Sequence, residues 1–401
     1  MRRIYLDHNA TTPVAPEVFE AMRPYLTEQF GNASSIHWYG QVAKAAVEEA
    51  RESVARLINA QPGEIVFTSG GTESDNAAIF GVVQASRERR AGGTPHVITT
   101  TIEHHAVLHV AKALEAQGVS ITYISAGSDG VVNPAEVERA ITPDTVLISV
   151  MHANNEIGTI QPIGEIGRIA REHGITFHSD AVQTVGKIPV DVRAMGLVLL
   201  SLSGHKLHGP KGVGALYIRK GTTLHPLMVG GHHERDRRPG TENVPGIVGL
   251  GKAAELAAVQ MNEEAARLTA LRDRLEEEIM RRVPRVRVNC AQAPRLPNTS
   301  SISFERVEGE GFVIACDLRG LACSAGAACS SGSLEPSHVL AAIGLSREQA
   351  RSTIRFSLGR TITTEDVDAA VGVVVDVVEH LRSLSPYEQS EPAEVQPSAA
   401  G

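Results

Sequence analysis

The sequence predicts an α/β fold with a mostly parallel central sheet in a large domain, followed by a smaller α+β domain. Between about residues 40 and 220, apolar β-branched runs alternate with helical patterns, which is typical of βαβ units. After about residue 253 the composition changes to a long helical pattern rich in Arg and Glu, followed by short strand-like runs. The length of 401 residues also exceeds that of a usual single domain.

The predicted elements of the large domain follow in order along the chain. Apolar residues at helical spacing predict a helix over residues 43–58, and EIVFTSG predicts a strand before the helix GTESDNAAIFGVV. Further strands are predicted at HVITTTIEH, TVLISVMHANNE, GITFHSD, GLVLLSLSGHK and GVGALYI. Most of these runs end in polar residues. Because ligands of open α/β sheets bind at the carboxyl ends of strands, we expect the site there.

The domain boundaries follow from the change in composition. Residues 15–255 are predicted to form the large domain, and residues 1–14 with 256–384 the small one. The small domain contains the helix LTALRDRLEEEIMRRV, the strand-like runs VRVNC, TSSISFE and TIRFSLGR, and a last helix from about residue 364 to 384. Residues 385–401 are rich in Pro, Ser and Glu without a period, which predicts a disordered tail.

Bulk composition argues against several classes of function. A net charge of −8 and an aromatic content of 4% disfavour a nucleic-acid partner. The start MRRIYLDHNATTP lacks the apolar core of a signal peptide, and no apolar run approaches the length of a membrane span. We therefore expect a cytoplasmic protein that contacts neither membrane nor nucleic acid directly.

Residues 323–338, CSAGAACSSGSLEPSH, contain two of the four cysteines. This stretch could be a metal clip, a disulfide, or a loop with one reactive thiol beside a bystander. The spacing lacks the close pairs of a zinc site, and a reducing compartment disfavours a disulfide. The glycines predict a mobile loop. The residues alone do not choose between Cys323 and Cys329.

Two glycine-rich segments contain candidate cofactor residues. Lys206 in SLSGHKLHGPKG follows Ser203 and His205 at a predicted strand end. A lysine there is usually a solvated loop residue, but a buried amine can form a Schiff base. In TSGGTESDN, Gly71 and Thr72 stand between a strand and a helix, where backbone N–H groups favour a phosphate or form a simple N-cap.

Two further strand ends complete a set of weak signals. Asp180 in HSDAVQ could cap a helix, or could pair with the ring nitrogen of pyridoxal 5'-phosphate (PLP), with Gln183 one helical turn further on. His104 could be structural, or could stack on a flat ring and move protons. A Schiff-base lysine, a phosphate cradle, a ring carboxylate and a stacking histidine together indicate PLP in preference to NAD.

Eight motifs give the chain a family resemblance from about residue 3 to 380. YLDHNATTP, FTSGGTESDN, HANNEIGTIQPI, SDAVQTVGK, SGHKLHGPKG, RPGTENV, SSGSLEPSHVL and IRFSLGR resemble those of cysteine desulfurases of the NifS/IscS type. These are class V PLP enzymes of fold type I. The resemblance therefore implies this fold, PLP as the cofactor and L-cysteine as the substrate.

The resemblance implies a role for each matching residue around the cofactor. Lys206 would hold PLP as a Schiff base, and His104 would stack on its ring and transfer protons. Asp180 would pair with the ring nitrogen, and Gln183 would bond the ring hydroxyl. The residues implied for the phosphate are Gly71, Thr72, Ser203, His205 and, from the second subunit of an obligatory homodimer, Thr241. The basic segment at residues 232–238 is expected to shape the site beside Thr241 in preference to docking a partner.

The resemblance also implies the substrate and sulfur residues. Asn155, beside the cofactor, and Arg355 would hold the substrate carboxylate, since a guanidinium binds a carboxylate through two parallel hydrogen bonds. Cys329 would take sulfur from L-cysteine as a persulfide, with release of L-alanine. Here Ala325 and Ala327 replace two serines of the family's Ser-Ser-Gly-Ser-Ala-Cys pattern, and Cys323 has no place in it.

The implied partners are a sulfur-acceptor protein or an iron–sulfur scaffold protein, for cluster assembly or tRNA thiolation. Cys329 could also ligate a transferred iron–sulfur cluster, and no resident metal is expected. A selenocysteine lyase or another class V PLP enzyme is the alternative activity. A non-catalytic scaffold that binds PLP or a partner is the alternative from another class of protein.

Overall fold

The structure is a computed structural model that describes residues 3–89, 93–325 and 336–384. The predicted tail at residues 385–401 and the predicted nucleophile Cys329 lie outside these ranges. In the described residues the helices are α1 (Pro16–Thr27), α2 (Trp38–Leu57), α3 (Gly71–Arg89), α4 (His105–Glu115), α5 (Pro134–Arg139), α6 (Ile163–Glu172), α7 (Val244–Arg282), α8 (Gly309–Leu318), α9 (His338–Ala342), α10 (Arg347–Arg351) and α11 (Thr364–Leu384). The strands are β1 (Ile4–Tyr5), β2 (Ile65–Thr68), β3 (His96–Thr100), β4 (Ser120–Ile124), β5 (Thr145–Ser149), β6 (Thr176–Asp180), β7 (Leu199–Ser203), β8 (Gly214–Ile218), β9 (Val286–Val288), β10 (Thr299–Phe304), β11 (Leu321–Ala322), β12 (Ser324–Ala325) and β13 (Thr353–Ser357).

The central sheet has seven strands in the order β2-β8-β7-β6-β5-β3-β4. Strands β7, β6, β5, β3 and β4 pair in parallel, and β8 runs antiparallel to both β2 and β7. The prediction of a mostly parallel sheet is confirmed. The central strands β5 and β7 are rich in Leu, Ile and Val and are buried along nearly their whole length, as expected for strands covered on both faces.

Helices cover both faces of this sheet. On one face, α3 and α4 place buried residues such as Ile79 and Val110 against Val97 and Leu199 of the strands. On the other face, α2 and the first part of α7 close a larger core with Phe177 of β6. The carboxyl ends of β3, β5, β6 and β7 lie at one end of the sheet and remain available for polar side chains.

A second, antiparallel sheet has the order β12-β13-β10-β9 and packs against α8 and α11. Strand β1 pairs in parallel with β11, and Ile4 and Leu6 belong to the same apolar cluster as Phe304 and Phe356. The N-terminal strand therefore packs with the C-terminal part of the chain, which is consistent with the predicted small domain.

Helix α7 crosses the predicted boundary at residue 255 without interruption. Its first part, including Leu250, packs in the cluster of the central sheet, whereas Leu268 and Leu275 pack in the cluster of the second sheet. The division into two domains stays a prediction, and one continuous helix links the two cores.

Two strands end earlier than the sequence pattern suggests. Strand β3 ends at Thr100, and His104 is instead the N-cap of α4. Strand β7 ends at Ser203, and Lys206 lies in the single 3₁₀ turn Gly204–Lys206. The polar residues that follow each strand continue its sequence pattern, but they lie beyond the last residue that pairs with a neighbouring strand. Among the helices of the described residues, none combines the length and apolar character that a bilayer span requires.

Candidate functional site

A cavity of about 410 Å³ lies at the carboxyl ends of the central strands. Its lining includes ten of the residues predicted from the sequence: Gly71, Thr72, His104, Asn155, Asp180, Gln183, Ser203, His205, Lys206 and Arg355. These residues come from positions far apart in the chain, and the parallel sheet brings their strand ends to one edge. The fold therefore gathers them at one place, while their individual roles stay predictions.

One end of the cavity is suited to a phosphate. Gly71 and Thr72 form the first turn of α3, where backbone N–H groups lack helical partners and attract an anion. A Cβ at Gly71 would come within 2.6 Å of Cγ2 of Val182, so only glycine fits there without a shift. Ser203 and His205 lie beside this turn. Burial and the charge of Lys206 lower the pKa of His205 to about 4, so its ring is neutral at pH 7.

Asp180 supplies a carboxylate in the middle of the lining. It ends β6, is 7% exposed, and its Oδ1 accepts the N–H of Val182 at 2.9 Å. Burial raises its pKa to about 6, against the opposing effects of the Val182 N–H and the charge of Lys206. Asp180 is therefore negative at neutral pH, which suits a partner that carries a positive charge.

His104 is held by the backbone of the helix that it caps. Its Nδ1 accepts the N–H of Ala106 at 3.1 Å, so the proton of the neutral ring lies on Nε2. Burial, and then the charge of Lys206, lower the pKa of His104 to about 4. At neutral pH the ring is uncharged and offers an N–H donor, so a role as proton acceptor requires that this proton leave first.

Lys206 is fixed by the N-terminal segment of the chain. Its Nζ donates to the carbonyl oxygens of Asn9 at 2.5 Å and Ala10 at 2.8 Å. The same segment is tied to the 3₁₀ turn, because the N–H of Thr12 donates to the carbonyl of His205 at 3.0 Å. The N-terminal residues thus set the place of the amine in the cavity.

Arg355 lies in the lining with its guanidinium already oriented. It is 6% exposed, and it donates to Oδ1 of Asp7 at 2.7 Å and to the carbonyl of Asn155 at 3.0 Å. Its Nε is buried and has no hydrogen-bond partner among the described residues. The arrangement brings the two predicted carboxylate-binding residues together at the cavity.

Thr241 and Cys323 stand apart from this lining. Thr241 is exposed and does not line the cavity. Arg238, three residues earlier, forms an ion pair at 2.8 Å with Glu73 in the first turn of α3, so this basic segment is tied to the phosphate end. Cys323 is buried, and contact with Cys316 and burial raise its thiol pKa well above the usual value.

Sequence reasoning missed several lining residues. Asp7, Asn9 and Asp75 belong to the quoted motifs YLDHNATTP and TSGGTESDN, but no role was assigned to them. Asp75 is buried, and burial together with the negative charge of Asp180 raises its pKa well above the usual value. Their position inside recognised motifs could have indicated that they belong to the site. Their contacts, however, exist only in the folded chain.

The donor set fits PLP. A helix N-terminus with Gly71 in a position that excludes a Cβ suits the phosphate, and a buried carboxylate suits the pyridinium nitrogen. Lys206 and Arg355 line the same cavity, and the cavity volume lies in the range of cofactor sites. PLP with a small amino acid is thus compatible with the residues present.

Comparison with known proteins defines the family. The model of the Aminotransferase class-V family matches residues 4–370, so the chain belongs to that family. The chain is 53% identical over 388 residues to "Cysteine desulfurase IscS" of Dictyoglomus turgidum, covering 97% of this chain and 98% of that protein. It is 51% identical over 390 residues to "Cysteine desulfurase IscS" of Methanosarcina thermophila, covering 97% and 95%.

Solved structures agree with this assignment and with the predicted fold type. A structure named "NIFS-LIKE PROTEIN" matches with a TM-score of 0.88 and 39% identity, covering 94% of this chain and 100% of that one. A structure named "SspA in complex with cysteine" matches with a TM-score of 0.78 and 40% identity, covering 88% and 98%. The predicted resemblance to the NifS/IscS group is confirmed.

Proposed function

We propose that this chain is a PLP-dependent cysteine desulfurase that converts L-cysteine to L-alanine and retains the sulfur as a persulfide on Cys329. The observation that carries the proposal is the single cavity lined by Lys206, Asp180 and Arg355, beside the phosphate cradle of α3. The names of the relatives at 53% and 51% identity support the same activity. The substrate in the SspA structure is consistent with it.

Different residues of the cavity perform different parts of the proposed reaction. Arg355 binds the substrate carboxylate through its guanidinium, and Asn155 orients that end of the substrate. Lys206 accepts the α-proton of the bound amino acid. PLP, when bound, supplies an electron sink for the negative charge that this proton transfer creates. With PLP bound, the carboxylate of Asp180 would keep the ring nitrogen protonated, and the neutral His104 would pack against the ring and exchange protons.

The sulfur transfer balances without an external oxidant. The thiolate of Cys329 attacks the sulfur of the substrate, and an S–S bond forms as the carbon–sulfur bond breaks. The electron pair of the broken bond stays with the carbon fragment, which takes up protons and leaves as L-alanine. The persulfide then passes its outer sulfur to an acceptor protein or an iron–sulfur scaffold protein.

Two features of the described cysteines support Cys329 over Cys323. Cys323 is 7% exposed and packs in the small-domain core beside Cys316, where its raised pKa keeps the thiol protonated. The nucleophile in sulfur transfer is a thiolate, and thiolates form at exposed, electropositive positions. Cys323 thus serves as a core residue in this proposal.

The test compares three purified variants. Cys329→Ser should bind PLP and L-cysteine but form no protein persulfide and lose nearly all alanine release, because the sulfur acceptor is gone. Cys323→Ser, the matched control, should keep both activities. Lys206→Ala should lose the lysine–cofactor absorbance and turnover together. Persulfide is mapped by mass spectrometry after incubation with L-cysteine; the assignment is wrong if Cys323→Ser loses persulfide and Cys329→Ser keeps it.

We further propose a homodimer in which Thr241 completes the phosphate site of the second subunit. Thr241 is exposed on a loop that Arg238 ties to α3, so the loop lies near a phosphate end without entering its own cavity. The exposed apolar side chains near α1, α2 and this loop are Phe19, Leu26, Phe30, Ile36, Trp38, Tyr39, Leu227, Met228 and Val229. Clustered exposed apolar side chains are typical of an interface, and we assign these to contact with a second copy of the chain.

A further inference from the structure

A second lysine lies behind the cavity that Lys206 lines. Lys187 follows Gly186 in the turns after β6, and its Nζ is placed between two amide side chains. It donates to Oε1 of Gln183 at 2.7 Å and to Oδ1 of Asn9 at 3.1 Å. No step proposed above uses this amine.

The amine fixes the orientation of Gln183. An amide side chain has an acceptor end and a donor end, and a neighbour that donates determines which end faces it. Lys187 offers three N–H groups when charged and two when neutral, enough for both of its amide contacts in either state. Its bond to Oε1 turns Nε2 of Gln183 to the other side, where Nε2 donates to the carbonyl of Asn9 at 3.0 Å.

The amine also fixes the orientation of Asn9. Lys187 and Nδ2 of Asn298, at 3.1 Å, both donate to Oδ1 of Asn9. Nδ2 of Asn9 then donates to the carbonyl of Asn155 at 3.1 Å. That carbonyl also accepts from Arg355 at 3.0 Å. One amine thus contacts an amide on the cofactor side and an amide on the substrate side of the cavity.

The surroundings of Lys187 hold several charged groups. A second cavity of about 30 Å³ lies behind Lys206, and its titratable lining residues are His8, Lys187, Lys206, His208, Glu264 and Arg360. Burial, and then the charges of Lys206 and Arg355, lower the pKa of Lys187 to about 7, against the effect of Glu264. With a pKa of about 7, the amine is present in both its charged and its neutral form near pH 7.

We infer that Lys187 is a positioning residue of the proposed desulfurase site, which orients Gln183 for the cofactor and Asn9 for Asn155. This inference rests on the proposed function, since Gln183 is predicted to bond the cofactor ring hydroxyl. A positioning role differs from a merely structural role in one respect. If Lys187 acts by orienting Gln183, its effect on cofactor binding depends on the presence of Gln183.

A double-mutant cycle tests this route. PLP is titrated into the cofactor-free wild type, Lys187→Met, Gln183→Leu and the double variant, and binding is followed by the absorbance of the lysine adduct. Lys187→Met should lower the affinity for PLP about tenfold, because one buried hydrogen bond loses its orientation. In the Gln183→Leu background the same change should weaken PLP less than about twofold, because contacting residues are not additive.

Two controls accompany the cycle. Lys187→Arg retains the donors and should restore most of the affinity, whereas Lys44→Met removes an exposed lysine on α2 and should leave affinity unchanged. Equal weakening by Lys187→Met in both backgrounds, or none in either, overturns the inference.

A measurement without PLP separates this inference from the proposed function. Thermal unfolding of the same four proteins is compared at about pH 9, where Lys187 is neutral. Its removal leaves the buried Oε1 of Gln183 without this donor, whereas Oδ1 of Asn9 keeps the bond from Asn298. Lys187→Met should lower the midpoint, and by less in the Gln183→Leu background. If the wild type binds no PLP, the proposed function is wrong. Thermal unfolding still tests the Lys187–Gln183 contact in that case, because additive shifts of the unfolding midpoint in the double variant would overturn it.

Discussion

Burial moves the pKa of His104, His205 and Asp180 in the cavity toward the range where the neutral form dominates, and the extent differs by residue. The pKa of His104 and His205 falls to about 4, so both rings are neutral at pH 7. The pKa of Asp180 rises only to about 6, because Lys206 and an N–H favour its charged form. At neutral pH one carboxylate of the cavity thus remains ionised beside neutral imidazoles, which is the arrangement that a protonated ring nitrogen requires.

Glu103, next to His104 in sequence, is a buried acid with incomplete pairing. Its Oε1 accepts from Thr100 at 2.8 Å and from the N–H of Met151 at 2.9 Å, whereas Oε2 has no hydrogen-bond partner among the described residues. Burial raises its pKa to about 8, against these two hydrogen bonds. Between its usual pKa of about 4.3 and 8, the folded state binds more protons at this site than the unfolded state.

This difference predicts a pH effect on stability. The contribution of Glu103 is fully present below its unfolded pKa, and it is lost as the pH rises toward about 8. Glu103→Gln keeps both acceptor bonds but cannot ionise, so the loss of unfolding free energy between about pH 5 and 8 should shrink by a few kcal/mol. Urea unfolding at several pH values measures it. Glu52→Gln, exposed on α2, is the control, and identical pH slopes for both variants would contradict the prediction.

At the scale of elements, the segment at residues 232–238 is held by a buried ion pair. Arg51 of α2 binds both oxygens of Glu234 at 2.8 Å, and the N–H of Phe67 in β2 donates to the same carboxylate at 2.9 Å. Glu234, Arg235 and Asp236 have φ angles of 46°, 57° and 65°. Left-handed backbone costs non-glycine residues roughly 1–2 kcal/mol each, so the ion pair offsets a strained turn.

Removal of this pair should destabilise the protein strongly. Glu234→Gln removes the buried counter-charge of the Arg51 guanidinium, and we expect a loss of about 3–5 kcal/mol of unfolding free energy. Glu48→Gln removes the other, exposed carboxylate partner of Arg51 and should cost less than about 1 kcal/mol. Denaturant unfolding measures both. Similar losses for the two variants would show that the Glu234 contact is no stronger than a surface pair.

At the scale of the whole molecule, the proposed dimer divides each phosphate site between two subunits. Lys206 and the first turn of α3 come from one subunit, and Thr241 comes from the other. A defect in Lys206 and a defect in Thr241 therefore fall in the same site when they are placed in different subunits, and the other site stays intact.

This division predicts complementation. Lys206→Ala and Thr241→Glu homodimers should both be nearly inactive, the second because a carboxylate repels the cofactor phosphate. A heterodimer of the two variants, isolated with two affinity tags, has one site with intact Lys206 and intact Thr241, and should regain about half of the wild-type activity. Alanine release by the heterodimer is the measurement. No recovery would place Thr241 in its own subunit's site, and an active Thr241→Glu homodimer would place it outside the site.

Much of the fold and of the cavity lining could be predicted from the sequence. Asp180, Ser203 and Lys206 follow apolar strand patterns, and parallel strands bring such ends to one edge. The exact ends of β3 and β7 could not be predicted, because polar residues continue the pattern after the ladder has ended. The motif match suggested a role for Arg355, but not that Asp7 and Asn155 orient it.

The sequence by itself determined which elements form and which residues provide the chemistry, since hydrophobic period and motif are local properties of the chain. The tertiary structure decided which groups set their orientation. Lys187 contacts Asn9 across 178 positions of sequence, and Arg51 contacts Glu234 across 183. Such pairs leave no local pattern, because hydrogen-bond geometry and burial exist only once distant segments pack together.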